Sequence, residues 1–240
     1  MNTNTNPDGK EVSSYYDKLW AELEDKNVNR INSRHRIIRH KLKKLGLKKD
    51  SSLLEVGCGN GLLTSFIAQY LTQGKITAAD ISPASIEYAR KKYATHSNIN
   101  FVVSDLSDFD PQTTFDYIVF PDVLEHIPVE QHRNIFRLAR KMSHEKTTVF
   151  INIPNPRALK WYAEHQPEAL QIIDQQLDAS VLLADIYAND FYLESFETYA
   201  LHLEEPDYQC LVVRPNADIK SVTPKSKAEL LLSSLKFRFT

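Results

Sequence analysis

Cysteine is scarce in this chain. The two present, Cys58 and Cys210, form no metal-ligand or redox spacing, and a reducing, cytoplasmic setting is expected. An excess of one charge is missing as well. The 29 Lys and Arg face 31 Asp and Glu, a net charge of −2 that argues against a nucleic-acid partner, because a phosphate backbone is bound through clustered basic side chains. No apolar run approaches the length of a membrane span, so no membrane partner is expected. The opening residues Met1–Lys10 are rich in Asn and Thr and lack the apolar core of a signal peptide, so they are expected to be neither a leader nor ordered structure. No internal repeat and no low-complexity linker divides the chain, and nothing in the pattern sets an oligomeric state.

At 240 residues the chain can hold one domain with a full core, or one domain and a small lid. Residues 11–45 read as helical: Ile38, Leu42 and Leu45 share a face, and Gly46 is a helix stop. A regular alternation follows. Strand Leu53–Val56 leads to helix Leu62–Leu71, and strand Ile76–Asp80 to helix Pro83–Tyr93, with Ser82 as N-cap and Pro83 in the first turn. Strands Ile99–Val103 and Phe115–Phe120 come next, then a helix carrying Ile135, Leu138, Ala139 and Met142, then strand Thr147–Ile153. Strands alternating with helices predict a parallel sheet with right-handed crossovers. Pro154-Asn155-Pro156 breaks the pattern, residues 157–190 read as helices in place of a short crossover, and Phe191–Leu203 and Tyr208–Val213 read as strands paired antiparallel across Glu204–Asp207. Asp218–Thr240 is a mildly basic tail with one helix-like patch, expected to be a solvated extension.

The most informative stretch is Leu53-Leu54-Glu55-Val56-Gly57-Cys58-Gly59-Asn60-Gly61, an apolar strand running into a glycine-dense turn and then an amphipathic helix. Glycines let the backbone approach a ligand closely, and small Cys58 sits between two of them. Dinucleotide enzymes use Gly-x-Gly-x-x-Gly to seat a pyrophosphate on the helix N-terminus. Here the spacing is Gly-x-Gly-x-Gly, and Glu55 puts negative charge where a pyrophosphate would be repelled. A ligand with a positive centre suits it better. Asp80, at the end of the next strand, stands where an acid can take both hydroxyls of a ribose.

Glu55-x-Gly57-x-Gly59-x-Gly61 resembles the first motif of the class I S-adenosylmethionine-dependent methyltransferases. Phe115-Asp116-Tyr117-Ile118-Val119-Phe120-Pro121-Asp122-Val123-Leu124-Glu125-His126-Ile127 resembles the fourth motif of their small-molecule members, including quinone-biosynthesis and natural-product O-methyltransferases. The resemblance implies an α/β, Rossmann-like doubly wound sheet of seven strands, the last antiparallel, with a helical insertion after strand five. It implies S-adenosyl-L-methionine as cofactor and a small-molecule acceptor, with no metal. It divides the chain into an N-terminal segment (1–29) that could cover the cofactor, a methyltransferase domain (30–214) and a tail (215–240).

The resemblance also implies roles. Glu55, Gly57, Cys58, Gly59 and Gly61 would cradle the cofactor, with Asp80 and Ile81 at its ribose. Asp105 would accept from the adenine amino group, with Leu106 against the ring, although Asp105 also reads as a turn residue beside Asp108 and Asp110. Pro121 would face the methyl group. Tyr15, Tyr16, Asp17 and Trp20 could lie over the cofactor. Arg34 and Arg36 are both candidates for its carboxylate, Arg36 the one preferred, and a solvated basic helix face is the alternative. His126 reads either as a general base or as a brace for its loop; histidine titrates in the range that proton removal near neutrality needs. Within 157–190, Trp161, Tyr162, His165 and Tyr187 are expected to line an acceptor lid, with core packing as the alternative. O-methylation is the expected reaction. N-methylation of an amino sugar or small amine, and a non-catalytic cofactor-binding module, are its rivals.

Overall fold

A computed structural model describes residues 9–24, 30–107, 109–217 and 223–236. Most of the opening decapeptide lies outside these, but Gly9 and Lys10 begin helix α1 (Gly9–Glu24) against the expectation of no order there. Asp108 is also outside them, as is the side chain of Trp20.

Residues 11–45 form two helices rather than one run. Asn32 starts α2 (Ser33–Lys44) with an extended backbone and a reciprocal cap. Its side chain accepts from the His35 backbone at 3.1 Å, and its own N–H donates to His35 Nδ1 at 3.2 Å. The helix stops at Gly46 (φ +94°) as the sequence suggests. Leu47 N–H reaches back to Leu42 O and Gly46 N–H to Lys43 O, which satisfies the terminal carbonyls, and buried Leu42 and Leu47 join the same core cluster.

The remaining elements are β1 (Ser52–Val56), α3 (Leu62–Ala68), β2 (Lys75–Asp80), α4 (Pro83–Lys92), β3 (Ile99–Val103), β4 (Phe115–Pro121), α5 (Val129–Lys141), β5 (Ser143–Pro154), α6 (Pro156–His165), α7 (Ala179–Ala188), β6 (Phe191–Tyr199), β7 (Tyr208–Pro215) and α8 (Lys227–Lys236). The strands form one seven-stranded sheet in the order β3-β2-β1-β4-β5-β7-β6. β7 runs antiparallel to both its neighbours, and the other pairs are parallel. This is the Rossmann-like doubly wound sheet that the sequence implied.

The central strands are buried almost throughout, and their side chains, pointing alternately to the two faces, build a core on each. Leu54 and Val56 of β1 pack with Phe136 of α5 and Leu182 of α7, while Leu53 packs on the other face with Ile38 of α2, Ile67 of α3 and Ile86 of α4. Each fully buried side chain of this size contributes roughly 1.5–3 kcal/mol. Several boundaries differ from the sequence reading, and β6, expected to reach Leu203, ends at Tyr199. β5 begins at Ser143, because its register slips where Phe115 pairs with Ser143 and Tyr117 with Thr148. Polar His144-Glu145-Lys146 bulges out there, and the Thr147 hydroxyl ties the bulge down by donating to Phe115 O at 2.7 Å. α3 gives way after Ala68 to a turn in which Tyr70 N–H donates to Ile67 O. The segment 157–190 holds α6 and α7 but is irregular over 170–178.

No helix among the described residues is long and apolar enough to cross a membrane. Because β1 to β3 wind one way and β4 onward the other, the C-terminal ends of β1 and β4 open a crevice between them.

Candidate active site

A cavity of about 400 Å³ fills that crevice, a volume in the range of small-molecule sites. Its floor is the turn after β1. Gly57, Gly59 and Gly61 all have left-handed backbones, with φ of +73°, +50° and +75°. A β-carbon on Gly57 would sit 2.6 Å from Val123, so the loop after β4 can close on the turn because glycine is there. Gly61 does different work. It opens α3 in a left-handed conformation, a β-carbon there would meet Phe101 at 2.8 Å, and it packs beneath the cavity rather than lining it.

Glu55 lines the cavity, yet it is only 1% exposed. Thr64 of α3 donates its hydroxyl to Oε2 at 2.7 Å. Burial pushes the carboxyl up to about 8, against the pull of the Thr64 bond, and nearby Asp80 adds to the rise. The negative charge expected at this position is therefore held back until a cation compensates its burial. Asp80 closes β2 with both oxygens engaged: Gly59 N–H donates to Oδ2 at 2.7 Å and Ser82 N–H to Oδ1 at 2.9 Å. Each oxygen keeps a further lone pair, which suits a vicinal diol. Burial raises this carboxyl too, and the two backbone donors hold it down.

Cys58, Ile81, Asp105, Leu106 and Pro121 line the cavity as well. Asp105 also serves its own turn, accepting from Ser107 N–H at 2.8 Å. Leu106 is buried with φ +67°, an unusual conformation for a branched side chain that turns it toward the cavity wall.

The loop after β4 supplies the opposite wall. Residues 124–126 form a single 3-10 turn, fixed from below by buried His132 of α5, whose Nε2–H reaches Leu124 O at 3.0 Å and Ile127 O at 2.9 Å. His126 lines the cavity. Its Nδ1 lies 2.5 Å from Ile173 O and 3.2 Å from Asp174 Oδ1. Both neighbours are acceptors, so Nδ1 carries the proton and Nε2 keeps its lone pair. Residues 171–175 are stitched to this loop: Gln175 N–H donates to Glu125 O at 2.9 Å, and its side chain bridges Ile127 O and Val129 N–H.

The two N-terminal helices cover the cavity. Tyr16 and Val12 of α1 line it, and α1 is docked through Asp17, which accepts from the Ser82 hydroxyl and, at 3.4 Å, from Ala84 N–H. Tyr15 stacks edge-on against Tyr16 at 5.4 Å. From α2 the lining residues are Arg34 and His35, not Arg36, which is exposed. Two positions along a helix is a rotation of about 200°, which carries Arg36 to the far side. Arg34 pairs with Asp122 at 3.0 Å, and that pairing raises the guanidinium further against the opposing effect of burial. Arg30, Asp122 and Gln171 line the cavity without having been singled out for it from the sequence.

The four aromatic or imidazole residues expected at an acceptor lid lie elsewhere. Trp161 is 42% exposed, stacked on His165 at 4.8 Å and edge-on to Tyr162, and Tyr187 is 57% exposed. None of the four lines the cavity; the part of 157–190 that does is Gln171. Asp174, on which the His126 geometry depends, carries no local motif in the sequence and is recognised through that contact alone.

These residues fit S-adenosylmethionine. A buried carboxyl lacking a cation, an acid for a ribose diol and an apolar wall at Leu106 stand along one cavity, where glycine turns leave room for the backbone to meet a ligand. Among the described residues, no group of three or more His, Cys, Asp and Glu side chains is arranged to hold a metal ion.

Comparison with known proteins agrees with this reading of the cavity. Residues 53–145 match the family described as Methyltransferase domain. The chain is 29% identical to malonyl-[acyl-carrier protein] O-methyltransferase 1 of Ilyobacter polytropus over 66% of its own length and 63% of that protein. It is 30% identical to nodulation protein S of Bradyrhizobium diazoefficiens over 46% of its length and 53% of that protein. It therefore spans less than two thirds of either relative. Among solved structures, magnesium protoporphyrin IX methyltransferase of Synechocystis with bound SAH superposes with a TM-score of 0.67 at 15% identity, over 88% of this chain and 100% of that one. Residues 53–145 thus carry a methyltransferase domain, set on the seven-stranded sheet order described above.

Proposed function

We propose that the chain transfers a methyl group from S-adenosylmethionine to a hydroxyl of a small-molecule acceptor. When bound, S-adenosylmethionine supplies an electrophilic methyl on a sulfonium that departs as a neutral thioether. The chain itself has to hold, align, exclude water and remove a proton. Asp80 would hold the ribose hydroxyls, Glu55 would ionise against the cofactor's positive charge, and α1 would close over the site. Asp105 and Leu106 would meet the adenine. Arg34 is engaged by Asp122, which leaves Arg30, exposed at the cavity wall, as the candidate for the cofactor's carboxylate.

The observation that carries O-methylation is the His126 ring, with Nδ1 bonded to Ile173 O and Asp174 and Nε2 left as a base. A hydroxyl is a poor nucleophile while it keeps its proton, and Nε2 can take that proton as the new O–C bond forms. On this reading residues 30–214 are the catalytic domain, with α1 covering the cofactor and the insertion 157–190 reaching the acceptor side through its stretch around Gln171. N-methylation is the second reading. It is favoured by the buried carboxyl of Glu125 beside His126, and one solved neighbour is described as an N-methyltransferase. Incubating the chain with methyl-labelled cofactor and a panel of alcohols, phenols, amines and carboxylates tests both. Label entering a hydroxyl compound is expected, and transfer confined to amines or carboxylates would overturn the first reading.

A further inference from the structure

Three acids gather at the His126 end of the cavity, Asp122 in its wall and Glu125 and Asp174 against His126 behind it. Asp122 lines it, with its side chain nine-tenths buried. Glu125 is 1% exposed, among the described residues neither of its carboxyl oxygens is hydrogen-bonded to another residue, and the nearer one lies 3.8 Å from His126 Nε2. Asp174 completes the group at 3.2 Å from Nδ1. Facing these carboxyls is the Arg34 guanidinium, already committed to Asp122 at 3.0 Å, with His202 and the Tyr208 hydroxyl also acting on Asp122. Tyr16 lines the same end, and its hydroxyl is also without a partner.

A buried carboxyl with no donor is costly in a folded protein and calls for a group to satisfy it. Burial holds Glu125 well above the usual carboxylate range, its neighbours Asp122 and Asp174 push it further, and a cation docked nearby would pull it back toward ionisation. Such a site discriminates by charge: an anion would add to the repulsion among the acids, and a cation would relieve it.

On the methyl-transfer reading above, we propose that this end of the cavity takes an acceptor bearing a protonated amine, held against Asp122 and the Tyr16 hydroxyl with the charge of Glu125 behind His126, and rejects anionic acceptors. The amine binds beside the reacting hydroxyl and releases a proton from the acid cluster as it docks.

Three probes with one phenol hydroxyl separate charge from shape: tyramine, para-ethylphenol and para-hydroxyphenylacetate. Their binding to the SAH-saturated chain at neutral pH is measured by calorimetry. The preceding SAH titration tests the cofactor reading by itself, since a chain that binds no SAH fails that reading before any acceptor is added. Tyramine is expected to bind at least about tenfold more tightly than the carboxylate probe, with an enthalpy that shifts between phosphate and Tris buffer as a proton is released. Glu125→Gln should narrow the preference and abolish the buffer dependence. If that variant does not fold, the ranking of the probes on the parent chain still decides the matter. Equal binding of the three, tighter binding of the carboxylate, or no binding of tyramine at millimolar concentration would overturn the proposal.

Discussion

Asp174 Oδ1 lies 3.2 Å from Nδ1 of His126, and this contact joins the irregular stretch between α6 and α7 to the loop that follows β4. An acid behind an imidazole fixes both its tautomer and its orientation. The base reading of His126 therefore makes a claim about a second residue. Asp174→Asn keeps the shape and places an amide where an acceptor stood, so the ring can turn its lone pair toward the amide. Single-turnover transfer at saturating cofactor should fall by about 10²-fold, the lower end of what a positioned base supplies, and His126→Ala by about 10²–10⁴-fold. Both variants should bind the cofactor as the parent does, and His126→Ala alone should lose the limb of the pH–rate profile that the imidazole sets. A His126→Ala chain with the parent rate would remove the base and favour amine or carboxyl acceptors.

Glu55 gives a pH signature. Its folded-state value of about 8 lies above the ordinary glutamate value near 4.3. Between the two the folded chain holds a proton that the unfolded chain has lost, so stability contributed here falls as pH rises through that window and levels off above it. Glu55→Gln, which still accepts from Thr64, should remove this part of the slope and raise ligand-free stability at pH 8 by on the order of 2–4 kcal/mol. The same variant should weaken S-adenosylmethionine binding more than SAH binding, because the product lacks the sulfonium charge. Denaturant midpoints at pH 5 and pH 8, together with the two titrations, check it. A variant that loses stability at both pH values and binds both ligands as the parent does would sink the assignment.

Asp80→Ala should weaken cofactor binding by roughly 1.5–3 kcal/mol, the scale of a hydrogen bond to a charged group. Asp80 also accepts from Gly59 and Ser82, so part of any loss could come from a loosened turn. Titration with the nucleoside adenosine and with its 2′,3′-dideoxy analogue separates the two. The parent should prefer the diol, and the alanine variant should bind both alike. A preference that survives in Asp80→Ala takes the residue out of ribose binding.

The parallel alternation and the cofactor turn were legible because both are local. Strand and helix periods mark β1 to β4, Ser82 caps α4 as its residue type suggests (its Oγ accepts Ser85 N–H at 3.0 Å), and glycine spacing marks the turn after β1. What escaped depends on contacts between segments distant in sequence. Arg34 and Arg36 look alike in a string of letters, and only the placement of α2, with Ile38 in the core one turn beyond Arg34, decides which of them faces the cavity. Trp161 and Tyr187 looked like pocket residues by type, yet the segment that reaches the cavity is the unpatterned stretch around Gln171 and Asp174. Aromatic composition drew attention to the helices of the insertion, while backbone hydrogen bonds to the β4 loop hold its irregular part in place.

That difference gives the last test. Gln175 ties 171–175 to the β4 loop: its backbone N–H donates to Glu125 O at 2.9 Å, its side-chain amide donates to Ile127 O, and its Oε1 accepts from Val129 N–H at 3.3 Å. Gln175→Ala keeps the backbone bond and loses the side-chain bonds, including a longer one from Nε2 to Glu125 O at 3.4 Å, a change of about 1–2 kcal/mol in how firmly the segment is held. Asp174 then spends less time on His126, so the transfer rate should fall about five- to thirtyfold, with cofactor affinity unchanged. Trp161→Ala and Tyr187→Ala, which alter exposed side chains away from the cavity, should leave the rate within about twofold. The two outcomes point to different parts of the insertion. A large loss in Trp161→Ala together with an altered choice of acceptor would mean that α6 closes over the acceptor during turnover. A Gln175→Ala chain with the parent rate would mean that the stitch to the β4 loop is structural, with Asp174 held on His126 by other contacts.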